Sequence, residues 1–362
     1  MQKGGGFVSK RKGRRSEFFA AANSGEGFIS FFEQIFNSRE IKRRYLIKGG
    51  PGTGKSTFMK RLAARAEEKG YSVDCYYCSS DPSSLDGIII DRKFAVIDST
   101  VPHAIEPALV GARDTIVDLG AFWDCNALAA KVDIIASLSE KKKRAYALAY
   151  RFLSSAMQSD VASREILLPY VDFARVEKIA RRLTRKIKRG ADYELKIGLS
   201  SAIGTSGQCR LDSYEEIAEK TVYIEDHYGL GFLLLSEICE IAIKNQNKIR
   251  VSYLPLCPDL PDAVYFEEEG LAFVVCGEKK NKDKKLLSLR RALSLSELSQ
   301  KEKRLLRERA RNAKKLSEAL ILAACDELAL AGEAHFELEE IYCSAMDFPA
   351  LDAFFERFLD NI

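Results

Sequence analysis

Three short apolar runs in the first hundred residues, at 45–48, 72–77 and 94–97, have the length and composition of buried β-strands. The run at 94–97 is continuously apolar, which is typical of a strand covered by helices on both faces. Between the first two runs, residues 56–69 place apolar side chains on one helical face, and Gly70 follows as a helix-terminating residue. This order of elements predicts an α/β fold with a parallel sheet.

Longer helical patterns follow each of the two halves of the chain. From about residue 116 to residue 188, apolar side chains recur at steps of three and four residues, and the charged stretch 286–331 has a similar pattern. The most apolar later runs, 232–243 and 319–331, are interrupted by acidic residues and fall short of a membrane span. We therefore expect a cytoplasmic protein that does not contact a membrane.

The length and composition of the chain indicate how many domains it can form and the redox state of its cysteines. With 362 residues, 46% hydrophobic and 30% charged, the chain is long enough for two globular domains. The net charge of +4 does not favour a nucleic-acid partner, although basic residues concentrate in 1–16, where we expect a flexible, solvated arm. Nine cysteines at irregular spacing indicate reduced thiols, and the Cys75-x-x-Cys78 spacing has no second pair to complete a metal site.

The first apolar run leads into Gly49-Gly50-Pro51-Gly52-Thr53-Gly54-Lys55-Ser56, which matches the phosphate-binding pattern G-x-x-x-x-G-K-[ST]. Its glycines let backbone N–H groups converge on a polyphosphate, and the following helix directs its unpaired N–H groups at the same anion. Lys55 supplies charge for the β- and γ-phosphates, and the Ser56 hydroxyl is a ligand for Mg²⁺. We expect the nucleotide to be held by Gly50, Pro51, Gly52, Thr53, Gly54, Lys55, Ser56 and Thr57.

Asp98 directly follows the apolar run at 94–97, so it should lie at the carboxyl end of a strand beside the phosphate-binding loop. There it can anchor Mg²⁺ through a water molecule; the alternative is an ordinary carboxylate in a polar turn. Ser99 follows Asp98, whereas many motor ATPases have a glutamate at this point. This difference favours a kinase or a slowly cycling nucleoside triphosphatase over a fast motor.

Three further polar residues belong to the same predicted edge. His103 is a candidate γ-phosphate sensor or catalytic base, and the alternative is a structural hydrogen-bonding role. Asp81 precedes Pro82 and Asp86 precedes Gly87, so we interpret both aspartates as turn formers.

The second half repeats the first at an offset of 177 residues. Gly52 and Gly54 are matched by Gly229 and Gly231 (229 − 52 and 231 − 54), and each pair follows an apolar run. The residues needed for chemistry are replaced in the second copy: Phe232 stands for Lys55, Leu233 for Ser56, and Cys276 falls near the place of Asp98. We therefore predict an active domain at 17–190 and a degenerate, phosphate-loop-like domain at 191–362, each with an appended helical segment.

The chain resembles a little-characterised family of bacterial P-loop ATPases built from two tandem P-loop halves. The resemblance lies in the phosphate-binding loop and in three motifs of the first half, at 78–87, 97–103 and 118–124. It implies ATP as the nucleotide and Lys55, Ser56 and Asp98 as site residues. It does not supply a substrate, and the altered second loop argues against two equivalent ATP sites.

Three functions remain open on the sequence. The first is an Mg-ATP-dependent ATPase with one competent site, in which Lys55, Asp98 and, more weakly, His103 take part in catalysis. The second is a kinase that transfers the γ-phosphoryl group to a nucleotide or small metabolite. The third is a non-hydrolysing ATP-dependent module whose second half and long helices engage a protein or nucleic-acid partner.

Overall fold

The computed structural model describes residues 13–226, 228–276 and 286–359. The fold is α/β, with two six-stranded mixed sheets and surrounding helices, and it is compatible with two tandem domains. Most of the basic arm expected at 1–16 lies outside the described residues; Arg15 and Ser16 belong to the first strand. The nine cysteines all lie in the described residues, and each is a free thiol.

The first sheet has the strand order β1-β5-β6-β7-β4-β8, and β2 and β3 form a separate hairpin. Neighbouring strands are parallel except at β6, which is antiparallel to both β5 and β7. The elements are β1 Arg15–Phe19, β2 Ala21–Ser24, β3 Gly27–Ser30, α1 Phe32–Phe36, β4 Arg43–Lys48, α2 Lys55–Glu68, β5 Val73–Tyr77, β6 Leu85–Ile90, β7 Phe94–Asp98, β8 Asp114–Asp118, α3 Cys125–Ala129, α4 Val132–Glu165 and α5 Phe173–Thr184.

The second sheet repeats this arrangement strand for strand. Its order is β9-β13-β14-β15-β12-β16, with β14 antiparallel to both neighbours and the remaining pairs parallel. The elements are β9 Glu194–Ile197, β10 Ser201–Gly204, β11 Gly207–Arg210, α6 Ser213–Ile217, β12 Lys220–Glu225, α7 Gly231–Lys244, β13 Lys248–Tyr253, β14 Pro261–Phe266, β15 Leu271–Cys276, β16 Leu286–Ser288, α8 Gln300–Cys343 and α9 Phe348–Leu359.

The prediction of parallel sheets is wrong in one respect, because β6 and β14 run against their neighbours. Short connections at 78–84 and 91–93 return the chain on itself, which produces antiparallel pairs and leaves no length for a crossover helix. Asp86, interpreted as a turn former, lies inside β6. The helical pattern expected from residue 116 also fails at its start, since β8 occupies 114–118, where three consecutive β-branched residues favour a strand. In the second half, helix α8 begins at Gln300, after β16.

The two sheets share an apolar layer and are covered on their other faces by helices. Phe18 and Leu46 of the first sheet and Tyr223 and Val274 of the second belong to one cluster of buried side chains, together with residues of α1 and α6. On the outer faces, α2 packs on the first sheet and α7 on the second. Burial of apolar surface between the sheets therefore joins the two halves of the chain.

Long helices from each half of the chain pack against the other half. Helix α5 of the first half packs on α7, whereas α9 of the second half supplies Leu351, Phe355 and Phe358 to the core beneath α2. Helices α4 and α8 lie antiparallel, as the pairing of Lys142 with His335 and of Ser163 with the Ala310 carbonyl shows. Their buried positions are mainly small, which permits a close approach of the two backbones.

This packing predicts that the stability of the first half depends on a side chain near the C-terminal end of the sequence. Phe355 is 1% exposed and meets the Phe58 ring edge-on at a centroid distance of 4.9 Å. We expect Phe355→Ala to lower the free energy of unfolding by roughly 3–5 kcal/mol, measured by chemical denaturation. Phe348→Ala, on the same helix but 40% exposed, is the matched control. Equal losses for the two variants would contradict the packing of α9 on the first half.

Candidate phosphate-binding site

The loop 49–54, which the sequence predicts to bind phosphate, follows strand β4 at the carboxyl edge of the first sheet. Strand β4 lies between β7 and β8 and is parallel to both, so that Ile47 faces Asp98 on one side and Lys48 faces Asp118 on the other. The loop turns into α2 through Gly52 and Gly54, which have φ values of 65° and 81°. These left-handed conformations are accessible to glycine at little cost. The N-terminal amides of α2 consequently lie at the sheet edge.

The Lys55 ammonium group lies over this loop. Its Nζ donates to the carbonyl oxygens of Gly49 at 2.9 Å and Gly50 at 2.7 Å. Asp98 Oδ2 is 3.6 Å away, and both side chains are only 13% exposed. A cationic group, the start of a helix and a carboxylate thus meet at one point, as the sequence led us to expect.

The other predicted site residues surround this point. Asp98 Oδ1 accepts from the amide and hydroxyl of Thr100, which fixes the carboxylate, and Ser56 Oγ accepts from the Leu85 amide at 2.9 Å. The Thr53 hydroxyl donates to the Gly50 carbonyl and stabilises the loop. The remaining predicted nucleotide contacts lie along the same segment: Pro51 is in the loop, and Thr57 is exposed in the first turn of α2.

The oxygen donors present are suited to Mg²⁺. The Ser56 hydroxyl and the Asp98 carboxylate are hard ligands, which magnesium prefers, and phosphate and water normally complete its octahedral shell. Within the residues that the structure describes, no group of three or more His, Cys, Asp or Glu side chains is arranged to hold a metal ion. A cation at this place would therefore depend on the nucleotide for part of its coordination.

His103 lies beside Asp86 of strand β6. Its Nε2 is 3.6 Å from Asp86 Oδ2, and its ring stacks on Phe32 at 4.8 Å. Burial lowers the pKa of His103 to about 4, so the ring is neutral at pH 7. Burial and the nearby charge of Asp98 raise the pKa of Asp86 well above its ordinary range. The surroundings of His103 match the structural alternative better than a base near neutral pH.

Helix α8 of the second half covers the loop, a contact that no sequence pattern predicted. Cys343 Sγ donates to the Gly52 carbonyl at 3.1 Å, across 291 positions of sequence. A Cβ atom on Gly52 would lie 2.5 Å from the Glu339 carbonyl oxygen, so a glycine is required there. Burial raises the pKa of the Glu339 carboxyl, and a hydrogen bond from the Gly52 amide partly offsets this shift.

The second loop contains a carboxylate at the position where the first loop has Gly49. Asp226 takes the position of Gly49, and its Oδ1 accepts from the Gly231 amide at 3.1 Å. Phe232, which replaces Lys55, lies under the guanidinium group of Arg164 at 5.6 Å. The N-terminal amides of α7 are therefore partly satisfied inside the protein, and the lysine is missing.

One detail of the repeat needs correction. The residue that faces Ile224, as Asp98 faces Ile47, is Val275 and not Cys276. The offset is 177 residues at this pair, but it is 176 where Phe266 of β14 takes the place of Ile90 of β6. The connection between β14 and β15 has one more residue than that between β6 and β7, which restores the offset.

No protein-family model, no curated protein and no solved structure matches the chain. The family resemblance therefore stays an expectation from the motifs, and the two halves of the molecule provide the available structural comparison. Among the described residues, no helix combines the length and the apolar character needed to cross a membrane.

The buried histidine predicts a pH-dependent stability. Because the folded protein lowers the pKa of His103 from 6.5 to about 4, the neutral ring stabilises the fold above pH 6.5. We expect on the order of 3 kcal/mol of this stabilisation to be lost as the pH falls from 6.5 to 4. Unfolding midpoints at several pH values should depend less on pH in His103→Gln than in the unmodified protein. Identical pH dependence in the two proteins would contradict the burial of a neutral imidazole.

Proposed function

We propose that the chain binds Mg-ATP at the loop 49–56 and hydrolyses it slowly, with one competent site per chain. The observation that carries this proposal is the convergence of the Lys55 ammonium, the amides at the start of α2 and the Asp98 carboxylate. Groups of this kind stabilise a polyphosphate and its cation together. The choice of ATP over GTP follows the family resemblance.

Each residue of the proposed site would have a separate role that follows from its chemistry. Lys55, now bonded to two loop carbonyls, would turn its charge to the β- and γ-phosphates, and the amides of 50–54 would hold the same oxygens. Ser56 would ligate Mg²⁺ and Asp98 would hold it through water. Bound Mg²⁺ would neutralise charge on the phosphates. Acceleration would then come from positioning and charge neutralisation of an in-line transfer to water.

The second loop supports a single site. A triphosphate there would meet the Phe232 ring in place of an ammonium and the Asp226 carboxylate in place of Gly49. Both changes disfavour an anion, the first through lost charge pairing and the second through like-charge repulsion. The second half would then serve the first through α8 and α9, which lie against the loop and beneath α2.

A kinase is the second candidate, and one observation favours it. An open groove of about 500 Å³ lies between 121–124 and 344–350. The Trp123 ring on its wall would be 3.2 Å from a Cβ on Gly50, which places the groove next to the loop. A small acceptor bound there would lie near the predicted position of the phosphates.

The products formed from Mg-ATP distinguish these functions. Phosphate release without an acceptor supports the ATPase, and ADP formation that requires an added nucleotide or metabolite supports the kinase. Tight ATP binding without either product supports a nucleotide-dependent binding module. If purified protein fails to bind ATP at millimolar concentration with Mg²⁺ present, the proposed function is wrong.

Alanine substitutions at the two equivalent positions, Lys55 and Phe232, test the assignment of the loop. Lys55→Ala should weaken ATP binding by about 10- to 100-fold, because a charge-assisted contact of about 1.5–3 kcal/mol is lost. Phe232→Ala is the matched control: it removes the side chain at the equivalent position and should leave ATP affinity unchanged. Isothermal titration calorimetry measures both. Unchanged affinity in Lys55→Ala would refute the site.

A further inference from the structure

Asp86 and Asp98 face each other across the antiparallel pair of β6 and β7. Gly87 is paired with Ile97, and one step further along both strands brings the two aspartates opposite each other. Directly opposed residues project from the same face of a sheet, with Cβ atoms about 4.5–5.5 Å apart. This is the face covered by α2, because Ile88 of β6 lies in the core with residues of that helix. Both carboxyl groups therefore lie near the beginning of α2.

The Asp86 side chain is buried without enough partners for a carboxylate. It is 7% exposed, and its Oδ2 has no hydrogen-bond partner among the described residues. His103 Nε2 lies 3.6 Å from that oxygen and makes no hydrogen bond to it. The Cys78 thiol, a weak donor, is hydrogen-bonded to the same carboxyl group. Lys55 is the basic side chain that pairs with Asp98. The two facing carboxylates thus have one ammonium group between them. Their excess negative charge favours binding of either a proton or a further cation.

The second half places different charges around the same position. As with Asp86, one oxygen of its aspartate, Asp262 Oδ1, has no hydrogen-bond partner among the described residues. Asp262 of β14 occupies the place of Asp86, and Val275 removes the opposing carboxylate. Arg210 Nη1 lies 3.9 Å from Asp262 Oδ2, and Ser201 Oγ lies at 3.3 Å. Arg210 ends β11, whereas the equivalent strand β3 ends in Ser30. At these facing positions the half with a complete loop therefore has two carboxylates where the other half has one, and it lacks the arginine.

We propose that Asp86 is a second carboxylate ligand, with Asp98 and Ser56, of the divalent cation that accompanies the nucleotide. The Leu85 amide donates to Ser56 Oγ, which joins the start of β6 to the predicted magnesium ligand. When Lys55 turns to the phosphates, a divalent cation compensates the charge of both aspartates. Water and phosphate oxygens complete the coordination. This inference rests on the proposed function of the loop.

Mn²⁺ binding measured by electron paramagnetic resonance, with a non-hydrolysable ATP analogue present, tests this assignment. We expect Asp86→Asn to weaken Mn²⁺ binding at least tenfold without weakening metal-free binding of the analogue, because the substitution removes a negative charge. Asp262→Asn, at the equivalent position of the second half, should change neither quantity. The same Mn²⁺ affinity in Asp86→Asn and the unmodified protein overturns the proposal and leaves the nucleotide site intact. Failure of the unmodified protein to bind the analogue overturns the proposed function and this inference together.

A change of metal preference keeps the test decisive if Asp86→Asn does not fold. Thiolate ligands favour soft cations, so Asp86→Cys should bind Cd²⁺ more tightly relative to Mn²⁺ than the protein that retains Asp86 does. Cys78 is hydrogen-bonded to Asp86, so both proteins carry Cys78→Ser in this comparison, which prevents a Cd²⁺ site made of two neighbouring thiolates. An unchanged ratio of Cd²⁺ to Mn²⁺ affinity shows that residue 86 does not contact the cation and overturns the proposal.

Discussion

The interaction between Lys55, the loop carbonyls and Asp98 sets the requirements for the rest of the first half. An ammonium group so little exposed needs acceptors, and Gly49, Gly50 and Asp98 supply them from two neighbouring strands and the loop between them. The parallel pairing of β4 with β7 brings these groups together, since it places Ile47 opposite Asp98. In the proposed complex, phosphate oxygens would replace the carbonyl acceptors of Lys55 and the Glu339 acceptor of the Gly52 amide.

The duplicated fold shows which features belong to architecture and which to chemistry. Both halves have the same strand order, the same antiparallel strand and a helix after the glycine turn. They differ in the residues that would meet a phosphate: Asp226 bonds to the amide of Gly231, whereas the first loop has Gly49 at that position. The same strand order and helix thus form in the second half without a lysine and a serine at the start of the helix. Lys55 and Ser56 have no counterpart in the second half, which supports the proposal of a single nucleotide site.

The sequence was sufficient for the loop and its flanking elements, because these depend on local patterns. Apolar runs located β4, β5 and β7, and helical periodicity located α2. It failed for β6, since Asp86 and Gly87 resemble a turn and only pairing with both neighbours makes that segment a strand. The contact of Cys343 with Gly52 joins distant parts of the chain through the packing of α8. No local pattern encodes such a contact.

A structure of the protein with Mg²⁺ and a non-hydrolysable ATP analogue tests the central claim most directly. Our account predicts one nucleotide per chain, with its terminal phosphates between Lys55 and the amides of 50–54, and with the second loop still closed by Asp226. A nucleotide beside Phe232, with the first loop unchanged, would contradict the account.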